Sequence, residues 1–270
     1  MPVTTNRIDA CFERLRAEGR GALISYFAAG DPSLGATVDL VVAMERAGVD
    51  IVELGAPFSD PIADGVVNQL SFQRAFAAGT TFGAVLDTVA RIRECSQVPV
   101  VLYTYYNPVM RMGLEAFVRR AAECGVDGVL LLDLPPDEGA VERAACEKAG
   151  IRWVTLIAPT TPAERVGLLA EAASGFVYYV SREGVTGVRD DLAADLTQRV
   201  AAIRARARVP VVVGFGISTP AQIREVCAIS DGAVVGSAIV RQIERHAADG
   251  DLAERLERFV APLAAAAHGH

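Results

Sequence analysis

Histidine is scarce in this chain of 270 residues, and all three, His246, His268 and His270, fall near its end. That placement argues against histidine-driven acid–base catalysis and reads most simply as three exposed side chains. Cysteine offers no framework either. Cys11, Cys95, Cys124, Cys146 and Cys227 are scattered, odd in number and without CxxC or Cys/His spacing, so neither a disulfide scaffold nor a zinc site is indicated and reduced thiols are expected. Long apolar runs are missing, because Asp, Arg or Gly interrupts each one before it could span a bilayer. Met1–Asn6 lacks the basic start and apolar run of a signal peptide, which leaves the cytoplasm as the expected location. Positive charge is also in short supply. A formal net charge of -7 argues against a nucleic-acid or anionic-membrane surface built on clustered Lys and Arg. It does not exclude a small anionic substrate held by local backbone N–H groups.

Apolar material, by contrast, is abundant. Hydrophobic residues make up 51% of the chain and charged residues 22%, enough for a sizeable core. Short β-branched or apolar runs recur at Ala22–Ala29, Ile51–Pro57, Val98–Tyr106, Gly128–Pro135, Trp153–Pro159, Phe176–Ser181, Val209–Gly216 and Ala233–Ile239. Between them lie segments with helical spacing, such as Val38, Val41 and Val42, then Val85, Val89 and Ile92, and later Val166, Leu169 and Ala170. Strand, helix and strand again imply parallel pairing. Gly48, Gly125 and Gly150 mark helix ends, while Thr161–Glu164 and Thr219–Gln222 each spell a capping box with proline in the first turn. Near-continuous runs such as Val129–Leu132 suit strands buried on both faces. Eight such strands predict an α/β fold, a (β/α)8 TIM barrel. The first strand lacks the G-x-G-x-x-G turn that would favour an open doubly wound sheet. Amphipathic helices at Arg7–Ala17 and Leu252–Leu263 flank the repeats, the first an extra N-terminal helix. No linker interrupts the pattern, so residues 1–270 read as a single domain.

Barrel enzymes take their reacting groups from the C-terminal ends of strands and the loops that follow. That rule selects Glu53, an acid inside the apolar run Ile51–Gly55. A carboxylate pointing into a barrel is costly unless it has a chemical task or a partner, and a structural ion pair is the alternative reading. The next loop, Pro57–Gly65, adds Asp60 and Asp64. Two carboxylates from one strand–loop unit divide acid–base work if one is desolvated and the other is not, although Asp60 is equally compatible with a turn. Glycine-rich segments follow the sixth, seventh and eighth runs, at Gly184–Gly187, Gly214–Ser218 and Gly236–Ala238. Three of them at adjacent strand ends, the last opening a helix, are the signature of a phosphate cradle.

The segment Val52–Gly65, read with Tyr26, Gly30–Pro32, Thr104–Pro108, Asp133–Pro135 and the three glycine segments, resembles the tryptophan synthase α-subunit family. The likeness covers nearly the whole chain. It implies a carbon–carbon lyase that cleaves indole-3-glycerol phosphate to indole and glyceraldehyde 3-phosphate by a retro-aldol route. On the matching positions, Glu53 is implied as the general acid–base group and Asp64 as the group that meets the indole N–H. Asp60 and Thr186 are implied in loop closure, with Thr186 positioning Asp64. Gly187, Gly216, Gly236 and Ser237 are implied to hold the phosphate. Tyr26, Tyr105, Leu130 and Tyr178 are implied to line the indole pocket, and each is also compatible with core packing.

The resemblance further implies a β-subunit partner in an αββα assembly, with pyridoxal phosphate in that partner and no cofactor in this chain. One departure stands out. Where the family commonly continues with proline after the Asp–Gly pair, this chain reads Val66–Val67–Asn68–Gln69, which predicts a wider conformational range for the loop and weaker coupling to the β subunit. A stand-alone indole-3-glycerol-phosphate lyase and a non-catalytic scaffold that activates a partner are the alternatives. Retention of both Glu53 and Asp64 counts against the scaffold.

Overall fold

Apolar runs too short to cross back on themselves, each followed by an amphipathic helix, leave parallel pairing as the way to satisfy the strand backbones. A computed structural model describes residues 6–181, 190–214 and 216–269. Its strands are β1 (Ala22–Ala28), β2 (Ile51–Gly55), β3 (Val100–Thr104), β4 (Gly128–Leu131), β5 (Arg152–Trp153), β6 (Thr155–Ile157), β7 (Val177–Val180), β8 (Val211–Gly214) and β9 (Gly232–Val235). They pair in parallel in the order β5-β4-β3-β2-β1-β9-β8-β7-β6.

The two ends of that order, β5 and β6, are halves of one chain run parted only by Val154. Val154 N–H donates to Val129 O at 2.9 Å on one side, and Thr155 N–H to Phe176 O at 3.3 Å on the other. The sheet therefore closes into the expected barrel, with nine strand segments filling eight positions. The run Trp153–Pro159 is the one that departs from a continuous strand. Barrel strands are staggered, so the early residues of a short strand reach one neighbour and its later residues the other.

Twelve helices cover the barrel among the described residues: α1 (Arg7–Glu18), α2 (Leu34–Arg46), α3 (Val66–Ala77), α4 (Phe82–Arg93), α5 (Tyr106–Met112), α6 (Leu114–Cys124), α7 (Ala140–Lys148), α8 (Ala163–Ala172), α9 (Asp190–Arg204), α10 (Pro220–Cys227), α11 (Ser237–His246) and α12 (Leu252–Ala267). With both sheet faces covered, every residue of β1, β2 and β3 is buried. Two predicted strands run on into helices, since Tyr106 opens α5 and Ser237–Ile239 opens α11. Gly48, Gly125 and Gly150 do close helices, with φ of 95°, 83° and 81°. The Thr219 capping box forms, its hydroxyl accepting from Gln222 N–H at 3.3 Å while the Gln222 side chain accepts from Thr219 N–H at 3.1 Å. The Thr161 box does not. Pro162 caps α8 without a side-chain bond, and the Thr161 hydroxyl instead accepts from Ala158 N–H at 3.1 Å, closing the turn before the helix.

Two buried carboxylates seal the base of the barrel. Asp50 accepts from Leu23 N–H at 2.9 Å and pairs with Arg14 at 3.1 Å and with His268 Nε2 at 2.8 Å. His268 is thus drawn in by α12 and is 15% exposed, and His246 is 20% exposed and pairs with Asp249 at 2.7 Å, so neither is the free surface residue expected from the sequence. His270 lies outside the described residues. Asp127 accepts from Val100 N–H at 2.8 Å and pairs with Arg93 at 2.6 Å and Arg7 at 3.0 Å. At the opposite end Arg74 of α3 grips Asp31, beyond β1, through two bonds of 2.9 and 2.8 Å and reaches Glu244 of α11 at 2.9 Å, fixing α3 against the barrel mouth. Removing one partner of a buried pair strands the other. Asp127→Ala is therefore expected to lower stability by about 3 kcal/mol, read from the urea midpoint at unchanged denaturant slope.

Candidate active site

Side chains alternate across a strand, so residues in register on neighbouring strands share a face. Tyr26 is in register with Glu53, and Gly55 with Tyr103 and Ala28. Leu130 is in register with Tyr103. The rings of Tyr26 and Tyr103 meet 4.6 Å apart although β2 lies between their strands, so this shared face is the barrel interior. Tyr178 of β7 is in register with Val212 of β8, and a Cβ at Gly214 would lie 2.5 Å from its Oη.

Glu53 is 0% exposed, and neither carboxyl oxygen has a hydrogen-bond partner among the described residues. The ion-pair alternative therefore finds no support at this position. A carboxylate without water or donors favours its neutral form, and burial pushes the Glu53 pKa up to about 8. At neutral pH it is a carboxylic acid with a proton to give. The Tyr26 hydroxyl is likewise buried and without a partner among the described residues.

Asp64 is the opposite case. It sits 7% exposed near the end of the loop after β2, and its carboxylate accepts from Tyr103 Oη at 2.9 Å, Asn68 Nδ2 at 3.1 Å and Tyr105 Oη at 2.7 Å. Burial raises its pKa above the usual carboxylate value, and the bonds from Tyr105, Asn68 and Tyr103 pull it back towards the charged form. The phenols of Tyr26 and Tyr178 are pushed well above their ordinary value by burial, with the two carboxylates adding to the effect. Asn68 and Gln69 of α3 tie the loop to the helix, for Gln69 Nε2 donates to Asp64 O at 2.8 Å. Beside Val66, where the family resemblance implies proline, the loop is held by these hydrogen bonds.

The remaining residues singled out in the sequence separate into three groups. Tyr105 caps α5, packs with Phe58, Ala28 and Phe72, and holds Asp64. Leu130 is buried beside Tyr103. Asp60 is exposed, its carboxylate accepting a short bond of 2.5 Å from the neighbouring Ser59 hydroxyl, and is not brought to the carboxylate pair. Gly216, with φ of 71°, follows β8, while Gly236 and Ser237 stand where β9 hands over to α11, so their N–H groups lie at adjacent strand ends. A Cβ on Gly236 would lie 3.2 Å from Tyr26 Cδ1, which puts this glycine against the same interior cluster. Thr186 and Gly187 lie outside the described residues. Among the described residues no cluster of three or more His, Cys, Asp or Glu suits a metal ion, and no helix is long and apolar enough to cross a membrane.

The family model for tryptophan synthase alpha chains matches residues 12–268. The chain belongs to that family. It is 51% identical to the tryptophan synthase alpha chain of Opitutus terrae over 97% of this chain and 96% of that one, and 50% identical to that of Geobacter sulfurreducens over 96% and 97%. The crystal structure of tryptophan synthase subunit alpha from Legionella pneumophila superposes with a TM-score of 0.89 at 36% identity, covering 97% of this chain and 98% of that one.

Two residues at the site carry no signal of their own in the sequence motifs. Tyr103 is two residues before Tyr105, a spacing that places both on one strand face, and Asn68 is four residues after Asp64, one helical turn away. Glu53 gives this site a stability signature. Its folded-state pKa is raised from 4.5 to about 8, so the folded chain keeps a proton that the unfolded chain releases. The contribution of Glu53 to stability is therefore fully present below about pH 4.5 and is lost as pH rises towards about 8. Glu53→Gln is expected to flatten that fall and to gain on the order of a few kcal/mol over the parent at pH 8, measured by urea unfolding across the range.

Proposed function

We propose that this member of the family cleaves indole-3-glycerol phosphate to indole and glyceraldehyde 3-phosphate, with Glu53 as general acid–base and Asp64 as the anion beneath the ring nitrogen. The observation that carries the reading is the contrast between two buried carboxyls from one strand and the loop that follows it, one without a partner among the described residues and one with three donors. Neutral Glu53 gives its proton to the indole carbon that bears the side chain, making that carbon tetrahedral and leaving positive charge on the ring nitrogen. Charged Asp64 accepts the N–H hydrogen bond that this charge strengthens. The hydroxyl beside the ring then returns a proton to Glu53 as the carbon–carbon bond breaks, its electrons restoring the indole. Protons balance and the enzyme ends as it began.

Tyr26, Leu130 and Tyr178 supply apolar surface for the ring, and Gly216, Gly236 and Ser237 offer backbone N–H groups to the phosphate, with Gly187 assigned the same task on family resemblance. The chemistry uses this chain's own side chains, and we assign pyridoxal phosphate to a β subunit. Exposed apolar residues around the mouth, Ile62 at 87%, Val66 at 70% and Met110 at 57%, support docking of that subunit over the loop that carries Asp64, in an αββα assembly.

Indole release by the purified chain, with and without a tryptophan synthase β subunit, tests the reading. Weak cleavage strongly raised by the β subunit is expected, whereas fast cleavage indifferent to it identifies a stand-alone lyase. Glu53→Gln is expected to lose cleavage by at least a thousandfold, a loss on the order of general acid–base catalysis, while still binding a phosphate-bearing substrate analogue. Because Glu53 must be protonated and Asp64 charged, kcat/KM should follow a bell, with an alkaline limb near the Glu53 value of about 8.

A further inference from the structure

Each oxygen of a carboxylate offers two lone pairs to donors. At Asp64 they are shared out unequally. Oδ1 accepts from Tyr103 Oη at 2.9 Å and from Asn68 Nδ2 at 3.1 Å, so it is filled. Among the described residues Oδ2 accepts only from Tyr105 Oη, at 2.7 Å, and that hydroxyl is itself pinned by the Ala63 N–H at 3.0 Å. We propose that Tyr103 and Asn68 are positioning residues that anchor Oδ1 of Asp64 and thereby present Oδ2, with its open lone pair, to the ring nitrogen of the substrate. The inference rests on the catalytic reading of Asp64 given above and adds which oxygen reacts and what aims it.

Both anchors are themselves held. The Tyr103 ring lies 4.6 Å from that of Tyr26 inside the barrel, and Asn68 stands in the first turn of α3, whose far end Arg74 binds to Asp31. Burial, with the charge of Asp64 adding, raises the Tyr103 phenol well above its ordinary value, so it stays a donor throughout the working range. Among the described residues the titratable groups that face Asp64 are Tyr26 from β1, Tyr103 and Tyr105 from β3 and the turn after it, and Tyr178 from β7. None is a cation. Among the described residues hydrogen bonds, rather than an ion pair, work against burial to favour the charged form of this carboxylate, and two of the three come from the proposed anchors.

Tyr103→Phe keeps the ring and removes one bond to Oδ1. Its acid limb of kcat/KM is expected to move up by about one pH unit, the shift that one hydrogen bond to a charged group supports. At neutral pH kcat is expected to fall about tenfold with little change in KM, because the contact that is lost strengthens only as the ring becomes charged. Asn68→Leu removes the other bond and is expected to shift the limb in the same direction. An acid limb left in place by Tyr103→Phe overturns the inference, and if that variant does not fold, Asn68→Leu is read by the same criterion. Glu53→Gln assayed alongside separates the two levels. If Glu53→Gln still cleaves, the catalytic reading fails. If it is inactive and the Tyr103→Phe limb is unmoved, only the positioning role fails.

Discussion

A closed barrel encloses a fixed volume, and this one has to hold the bulky rings of Tyr26, Tyr103 and Tyr178 on its inner face. It does so by placing glycine where those rings lie against a neighbouring strand. A Cβ at Gly55 would lie 2.9 Å from Tyr26 Oη, and one at Gly214 would lie 2.5 Å from Tyr178 Oη. Interiors at crystal-like density have no slack to absorb an added methyl group there. The exchange sets the chemistry of the mouth. Rings pressed against bare backbone fill the interior with apolar surface and exclude water, which is what drives the Glu53 pKa up to about 8. One of these rings also serves the second buried carboxylate, for the Tyr103 hydroxyl joins Tyr105 and Asn68 in donating to Asp64.

Opposite treatment of two acids follows from where each is attached. Glu53 is fixed by the register of β2 and is surrounded by strands whose own N–H groups are spent on pairing, so no backbone donor is left for it. Asp64 sits on a loop that returns over the mouth, where the phenols of Tyr103 and Tyr105 and the amide of Asn68 converge. Similar side chains thus acquire different proton affinities from their backbone settings, as acid–base division of labour requires.

Much of this was legible in the sequence because it rests on local rules. The strand–helix alternation, the glycines that end helices in the left-handed conformation and the isolated acid in an apolar strand all register within a few residues of chain. What escaped depends on contacts between distant segments. His268 looks like a solvated C-terminal residue until α12 packs beneath the barrel and brings it 2.8 Å from Asp50. The division of the fifth strand at Val154 is a consequence of barrel stagger, which no single run encodes. Thr161 satisfies the letter pattern of a capping box, yet its hydroxyl accepts from Ala158 N–H in the preceding turn. Tyr103 was within reach of the alternation rule through Tyr105, but its role needs Asp64, 39 residues away in sequence, to fold back over it.

The replacement of proline by Val66 shows how a loop can be defined by either of two physical means. Proline stiffens a loop by removing conformations from the unfolded chain, an effect that operates wherever the loop points. Here α3 starts at Val66, and Asn68 and Gln69 bond back to the side chain and carbonyl of Asp64. Those bonds are directional: they hold the loop only in the arrangement that also places the carboxylate. A proline at position 66 would restrict the backbone without selecting an orientation for Asp64, whereas Asn68 constrains the backbone and the carboxylate through the same contact. The departure from the family pattern therefore alters the source of the loop's order, from covalent restriction of φ to hydrogen bonds centred on the residue that the loop exists to deliver.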